Sequence, residues 1–271
     1  MKRECSSNFF EVRDLKKSFG KQQVLRGVNL DVKCGESLVL LGTSGGGKSV
    51  LLKHLACLMQ ADEGTLMVED QDVCGLSERQ LGKVRTKIGI MFQGGALFDS
   101  LSVGQNVGFP LTEKGKFKPK EIREQVLEIL AEVGLEEHID KMPGDLSGGM
   151  RKRVALARAI ISEPKCLLYD EPGAGLDPVV ADSIDFLIRE VQLKKNTTSI
   201  TITHELKSVF RIADRIAFLR AGEVYWIGTP QEFRDSDDPV LKNFIDGRSG
   251  EDWDSLYDSY PSIKPTFKHE Y

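Results

Sequence analysis

The chain has 271 residues, of which 37 are basic and 41 acidic, giving a net charge of −4. This length allows one large domain or two small ones, and either could bury a sizeable core. The slightly acidic balance argues against a protein that coats nucleic acid, so no nucleic-acid partner is expected. No run approaches the roughly 20 apolar residues that span a bilayer, so a membrane role would require another chain to cross the membrane.

The cysteine pattern favours reduced thiols over a disulfide framework. The five cysteines are odd in number, widely spaced and lack metal-ligand pairing; they are Cys5, Cys34, Cys57, Cys74 and Cys166. This pattern is typical of buried thiols in a cytosolic protein. The charged first five residues are not followed by an apolar core, so a signal peptide is not expected.

A strand, a glycine-rich loop and a helix follow one another near the start of the chain. Residues 37–41 are an apolar run typical of a strand buried on both faces, and apolar residues recur at helical spacing from 50 to 59. The loop between them reads Gly42, Thr43, Ser44, Gly45, Gly46, Gly47, Lys48 and Ser49. Its glycines allow backbone N–H groups to face phosphate oxygens, Lys48 can reach the β- and γ-phosphates, and Ser49 can ligate Mg²⁺. The alternative is a flexible glycine turn, which the Lys-Ser pair disfavours.

The next segment predicts a helical subdomain over about residues 94–161. It follows an apolar run at 88–92 and Gln93, whose amide could reach Mg²⁺ and the attacking water. An amphipathic helix stops at Gly134, and a second helix follows the turn at Ser147, Gly148 and Gly149. That turn forms an anion-receiving helix start. Because the chain already has a phosphate loop, we expect it to meet the γ-phosphate held by a second copy; the alternative is an ordinary helix cap.

Asp170 and Glu171 follow a second apolar strand at residues 166–169. Asp170 can hold the water shell of a metal ion, and Glu171 can act as general base on the attacking water. The alternative is a surface acidic pair at a strand end. His204 follows a third candidate strand and could contact the γ-phosphate and Glu171, although a single histidine is more often structural. Phe19 could stack on adenine or pack into the core.

The remaining pattern alternates strands and helices, which implies a mostly parallel sheet covered on both faces. Asp177 and Pro178 predict a helix start, residues 215–219 and 224–227 predict a hairpin, and Thr229 begins a capping box. No internal repeat is present, so one nucleotide unit is expected per chain.

Taken in this order, the motifs resemble those of the ABC ATPase family over residues 9–245. The resemblance implies an α/β phosphate-loop core with a mostly parallel sheet, an antiparallel β subdomain and the inserted α-helical subdomain. It places the ATPase domain at 8–246 and a C-terminal extension at 247–271. It also implies these roles: Walker A at 42–49, Q-loop at Gln93, signature at 146–149, Walker B at Asp170 and Glu171, D-loop at Asp177, switch at His204 and adenine stacking at Phe19. Two positions depart from the family pattern. Met150 stands where many members have glutamine, and Gly173-Ala174 replaces the commoner Thr-Ser or Thr-Thr.

Two segments point to a subgroup within this family. Residues 91–101, and the signature followed by Met150, resemble those of the Mla/Mce-type (Mkl) phospholipid-transport ATPases. This resemblance implies a homodimer that hydrolyses ATP with Mg²⁺ at the cytoplasmic face of the inner membrane. It implies an MlaE-like integral-membrane permease and an MCE-domain lipid-binding protein as partners, with phospholipid moved between inner and outer membranes. Two alternatives stay open: an ABC ATPase for another cargo (amino acid, metal or lipoprotein), and a module that binds ATP but barely hydrolyses it.

The segment after Gln93 is the expected coupling surface, because it carries Leu97, Phe98 and Leu101 beside a γ-phosphate-sensing residue. The alternative is that these residues form the core of the helical subdomain. We expect Leu97→Asp to spare ATP binding while weakening association with the permease. The polar extension beyond Gly247 could dock on the neighbouring subunit or be disordered.

Overall fold

A computed structural model describes residues 8–247 and divides the chain after Thr229 into two compact units. The expectations for residues 248–271 lie outside the described residues. Within 8–247, no helix is both long enough and apolar enough to cross a membrane.

The first unit contains a four-stranded antiparallel sheet, in the strand order β2-β1-β4-β5. Its strands are β1 Asn8–Phe19, β2 Gln22–Lys33, β4 Glu63–Val68 and β5 Gln71–Asp72. The strands β1 and β2 form a hairpin in which Phe19 pairs with Gln22 across a two-residue turn. Gly20, with φ 59°, supplies the left-handed conformation that such a tight turn favours.

A six-stranded sheet forms the centre of the first unit, in the order β10-β9-β3-β8-β7-β6. Its strands are β3 Ser37–Gly42, β6 Ile88–Met91, β7 Cys166–Asp170, β8 Thr198–Ile202, β9 Arg215–Arg220 and β10 Glu223–Gly228. All neighbours pair in parallel except β9 and β10, which form the predicted hairpin. The strands β3 and β8 are buried throughout. The strand β3 is mostly apolar, as expected for a parallel sheet covered on both faces, whereas β8 also buries the polar residues Thr198, Ser199 and Thr201.

Helices surround these sheets in the first unit. They are α1 Lys48–Leu55, α2 Glu78–Arg85, α3 Val103–Lys114, α4 Pro119–Glu132, α5 Gly148–Ile160, α6 Pro178–Lys195 and α7 Leu206–Ile212. The helix α6 begins as predicted, because Asp177 Oδ1 accepts hydrogen bonds of 3.1 Å from the backbone N–H groups of Val179 and Val180. Short 3₁₀ helices at Glu136–His138 and Pro143–Asp145 connect α4 to α5.

The helix α1 is shorter than its apolar pattern suggests. It ends at Leu55, and Cys57 takes a left-handed φ of 55°, so Leu58 and Met59 lie beyond the helix. The cysteine prediction also needs a correction. Cys34 is disulfide-bonded, whereas Cys57, Cys74 and Cys166 are free as expected.

The second unit, as far as it is described, contains two short helices, α8 Pro230–Arg234 and α9 Pro239–Ile245. The first agrees with the helix predicted after Thr229. The second begins at Asp238, whose Oδ1 accepts hydrogen bonds from the backbone N–H groups of Val240 at 2.8 Å and Leu241 at 3.2 Å. Proline in the first turn supports the same start.

Candidate active site

Four chain segments meet where parallel strands end. The strands β3, β6, β7 and β8 run parallel, so their carboxyl ends share one edge of the sheet. At this edge lies a cavity of about 480 Å³. Its lining consists of Val24, Gly42, Ser44, Gly45, Gly46, Gly47, Lys48, Ser49, Val50, Gln93, Glu171 and His204. The structure thus brings together segments that lie far apart in the sequence.

Glycine is required at two points of the loop. Gly42 has φ 140°, and a Cβ there would lie 2.0 Å from the carbonyl oxygen of Leu219. Gly47 has φ 96° as the N-cap of α1, and its Cβ would lie 2.8 Å from Leu25 Cδ2. The loop therefore approaches its neighbours too closely for a side chain, and α1 begins with its positive end toward the cavity.

Lys48 bends back onto this loop. Its Nζ donates hydrogen bonds to the carbonyl oxygens of Gly42 at 2.8 Å and Thr43 at 2.9 Å. Burial lowers the pKa of the Lys48 ammonium, while the carboxylates of Glu171 and Asp170 act in the opposite direction. A cation held beside phosphate-binding N–H groups can exchange these carbonyl partners for phosphate oxygens.

The two acidic residues differ in their surroundings. Asp170 ends β7 and accepts a hydrogen bond from the Ser49 hydroxyl; burial and then the charge of Glu171 raise the pKa of its carboxyl. Glu171 leaves the strand with φ 49°, and its N–H donates to Ile202 O at 2.9 Å. His204 Nδ1 lies 2.8 Å from Glu171 Oε2, a contact that becomes an ion pair when the imidazole is protonated.

The oxygen donors at this edge fit Mg²⁺. The Ser49 hydroxyl and the Asp170 carboxylate are in hydrogen-bonding contact, and the Gln93 side chain lines the same cavity. Hard oxygen ligands suit Mg²⁺, which usually takes only one or two protein ligands together with water and substrate phosphate. A cation would also relieve the repulsion between Asp170 and Glu171 that raises the pKa of Asp170.

Several predicted site residues lie outside the cavity: Thr43 and Asp170 do not line it, and neither do Phe19 and the turn at Ser147. Ser147 is the N-cap of α5, where its Oγ accepts a 3.3 Å hydrogen bond from Met150 N, and neither Gly148 nor Gly149 lines the cavity. Phe19 ends β1 with 47% of its surface exposed, and the Lys17 ammonium lies 5.8 Å from its ring centroid. Phe19 is therefore not a core residue, and its ring is open to a stacking partner.

Sequence reasoning missed three residues of this region. Val24 lines the cavity from β2, and Val50 lines it from α1. Lys152 on α5 is buried, and its Nζ donates to the backbone carbonyls of Gln93 and Glu171. A signal for Lys152 was present, because it lies among Gly149, Leu156 and other residues of the buried face of α5.

Comparison with known proteins agrees with this geometry. The sequence profile of the ABC transporter family matches residues 25–174. The protein TRIGALACTOSYLDIACYLGLYCEROL 3, chloroplastic, of Arabidopsis thaliana is 40% identical over 259 residues, covering 89% of this chain and 74% of that protein. The intermembrane phospholipid transport system ATP-binding protein MlaF of Haemophilus influenzae is 35% identical over 263 residues, covering 97% of this chain and 100% of MlaF. The dimeric cassette MJ0796 bound to ADP and Pi superimposes with a TM-score of 0.76 at 32% identity, covering 82% of this chain and 98% of that one.

The central sheet, the phosphate loop and the acidic strand end define a nucleotide-binding protein of the phosphate-loop class. The chain belongs to the ABC transporter family and is one of its ATP-binding cassettes. This confirms the family resemblance and the α/β fold class predicted from the sequence, including the antiparallel sheet.

Proposed function

We propose that this chain is the Mg²⁺-dependent ATPase subunit of a membrane ABC transporter that moves phospholipids between two membranes. The observation that carries the ATPase assignment is the 2.8 Å contact between His204 Nδ1 and Glu171 Oε2 at the wall of the cavity that also contains Lys48. A histidine in contact with a carboxylate can hold that carboxylate in one orientation, and an oriented carboxylate beside a phosphate site can act as general base.

Each residue then has a separate task. The loop N–H groups and the start of α1 bind the phosphates, and Lys48 binds the terminal phosphate oxygens. Glu171 takes the proton of the attacking water, and His204 keeps its carboxylate in place. Ser49, Asp170 and Gln93 would hold Mg²⁺, which neutralises phosphate charge when bound.

A second copy of the chain completes the site in this proposal. Ser147 heads a 13-residue helix whose start lies outside its own cavity, and MJ0796 is a dimer in its solved form. In a head-to-tail pair, the Ser147 turn of one chain would meet the γ-phosphate held by Lys48 of the other. Turnover per subunit should then fall on dilution to monomers. Concentration-independent turnover, with Ser147→Ala fully active, would contradict the shared site.

The permease would dock on the helical part of the first unit. A groove of about 730 Å³ runs along α3 and α4 and is lined mainly by apolar side chains, including Leu101, Phe109 and Ile122. Phe98 adjoins it, since its ring lies 4.8 Å from that of Phe109 and is 44% exposed. This groove continues from the segment after Gln93, which is where a response to nucleotide would be transmitted.

Association with the permease can be measured by pull-down from detergent-solubilised native membranes. Leu97→Asp and Phe98→Asp should each reduce recovery of the permease and leave ATP binding intact. The control is Phe186→Asp, which places the same charge on an exposed aromatic position of α6. Equal recovery with all three variants would contradict docking at this groove.

Phospholipid as cargo rests on the relatives, since MlaF is named for intermembrane phospholipid transport and aligns along its whole length. Affinity purification of this chain from its native membrane tests the cargo, the MlaE-like permease, the MCE-domain partner and the peripheral location at the cytoplasmic face together. Recovery of a permease for amino acids, metals or lipoproteins would favour the other-cargo alternative.

Hydrolysis itself is tested with Glu171→Gln. This change should lower steady-state phosphate release by about 100-fold or more while ATP binding stays near the wild-type value, because only proton transfer is removed. Glu205→Gln is the matched control, since Glu205 lies 3.8 Å from His204 Nε2 but does not line the cavity. Unchanged phosphate release in Glu171→Gln would favour a module that binds ATP without using it.

A further inference from the structure

Lys152 is a buried cation in a part of α5 that otherwise packs apolar groups. Only 6% of its surface is exposed, and Leu156, Ala159 and Ile160 follow it on the buried face of the helix. Lysine is almost never buried to this degree without partners, because removing an ammonium from water is costly. The partners of this ammonium therefore indicate what the residue does.

Two backbone carbonyl oxygens receive its hydrogen bonds. Lys152 Nζ donates to Gln93 O and, at 3.4 Å, to Glu171 O. Burial lowers the pKa of the Lys152 ammonium, and the negative charges of Glu171 and Asp170 counteract that effect. The cation is therefore attached to the two chain segments whose side chains line the cavity from β6 and β7.

A second residue of α5 holds the same loop further along. Arg158 donates to Gly95 O at 2.7 Å and to Ala96 O at 2.8 Å, so the segment from Gln93 to Ala96 is attached to α5 at two places. The N-cap of α5 is Ser147. One helix thus carries the expected γ-phosphate contact for the second copy at its start and holds the Gln93 loop along its length.

We propose that Lys152 is a positioning residue for ATP hydrolysis: by holding the carbonyls of Gln93 and Glu171, it fixes the spacing between the Gln93 amide and the Glu171 carboxylate. This inference rests on the proposed roles of those two residues. Lys152 does not line the cavity and so acts through them. A lysine suits the task because one compact ammonium provides three donors and a charge that the nearby carboxylates attract.

The test separates catalysis from binding. Lys152→Met keeps the length and apolar stem of the side chain but removes the donors and the charge. It should lower kcat about 10- to 100-fold, because small misplacements of reacting groups are costly, while the KM for ATP changes less than about threefold. Lys152→Arg, which keeps donors and charge, should recover most of the lost kcat. Lys83→Met, an exposed position on α2, is the matched control and should behave as wild type.

Three results would overturn the inference: a folded Lys152→Met variant with kcat within twofold of wild type, equal losses in kcat and in ATP affinity, or a Lys152→Arg variant as impaired as Lys152→Met. Should Lys152→Met fail to fold, Lys152→Gln replaces it with the same expected kcat loss, because its shorter side chain cannot serve both carbonyls. Glu171→Gln is assayed in parallel. If it retains wild-type turnover, the proposed function fails; if it is inactive while Lys152→Met is active, only the role of Lys152 fails.

Discussion

Asp185 is a buried carboxyl group whose ionisation should destabilise the protein. It lies on α6 with 3% of its surface exposed, and its Oδ1 has no hydrogen-bond partner within residues 8–247. Burial raises the pKa of the Asp185 carboxyl to about 6; Ser208 opposes the shift through a hydrogen bond, and Arg211 opposes it through its charge. Asp182 and Glu205 strengthen it as neighbouring negative charges.

The size of the effect follows from the pKa difference. Against an ordinary value of 3.8, a folded-state pKa of about 6 corresponds to about 3 kcal/mol at 1.36 kcal/mol per pKa unit. Between these two values the folded state binds more protons than the unfolded state, so the free energy of unfolding falls as pH rises from about 4 to about 6. Asp185→Asn should abolish this contribution, because an amide remains neutral at every pH.

Urea unfolding followed by circular dichroism at pH values from 4 to 8 measures this difference. Asp185→Asn should match wild type near pH 4 and exceed its stability by up to about 3 kcal/mol at pH 8. Asp140→Asn, at a carboxylate that is 77% exposed, should change stability little at any pH. A constant difference between Asp185→Asn and wild type across the pH range would refute the reasoning.

Three further substitutions test packing and polar contacts elsewhere in the first unit as well as in the phosphate loop. Gly42→Ala should lower the thermal midpoint by about 10 °C, because its Cβ would lie 2.0 Å from Leu219 O; a shift below 2 °C would contradict this contact. Asn106→Ala should cost about 2–4 kcal/mol in urea unfolding, since the amide bonds the backbone of residues 98–102, and a loss under 1 kcal/mol would argue against that role. Arg215→Met should cost about 3–5 kcal/mol by leaving Glu36 buried and unpaired, and adding Glu36→Gln should restore most of that stability.

The central strands β3 and β7 were predictable because burial on both faces leaves nearly unbroken apolar runs in them. The helix α3 was not identified individually, because Gly104, Gly108 and Pro110 weaken its periodic pattern. The start of α3 is set instead by two side chains. Ser102 Oγ accepts a hydrogen bond from Gln105 N, and the Asn106 side-chain amide donates to Phe98 O in the preceding loop. Such contacts arise only when the chain is folded.

The residues of the candidate site also fall into those that could be predicted from the sequence and those that could not. Lys48, Asp170 and Glu171 could be identified because each follows an apolar strand, and strand ends of a parallel sheet meet at one edge. The contact of His204 with Glu171 was anticipated for the same reason, because His204 also follows a candidate strand. The attachment of Lys152 to two loops could not be predicted from spacing, since it depends on where separate segments meet in space.

The position of β8 in the central sheet has a consequence for synthesis of the chain. β8 lies between β3 and β7, so the strand before the phosphate loop and the strand before the acidic pair are not direct neighbours. Because chains emerge from the ribosome N-terminus first, the loop is made long before Thr198–Ile202 can insert and join the two halves. A nascent chain should therefore be unable to trap ATP productively until β8 has emerged and inserted between β3 and β7, so nucleotide capture by a nascent chain would report that this step is complete.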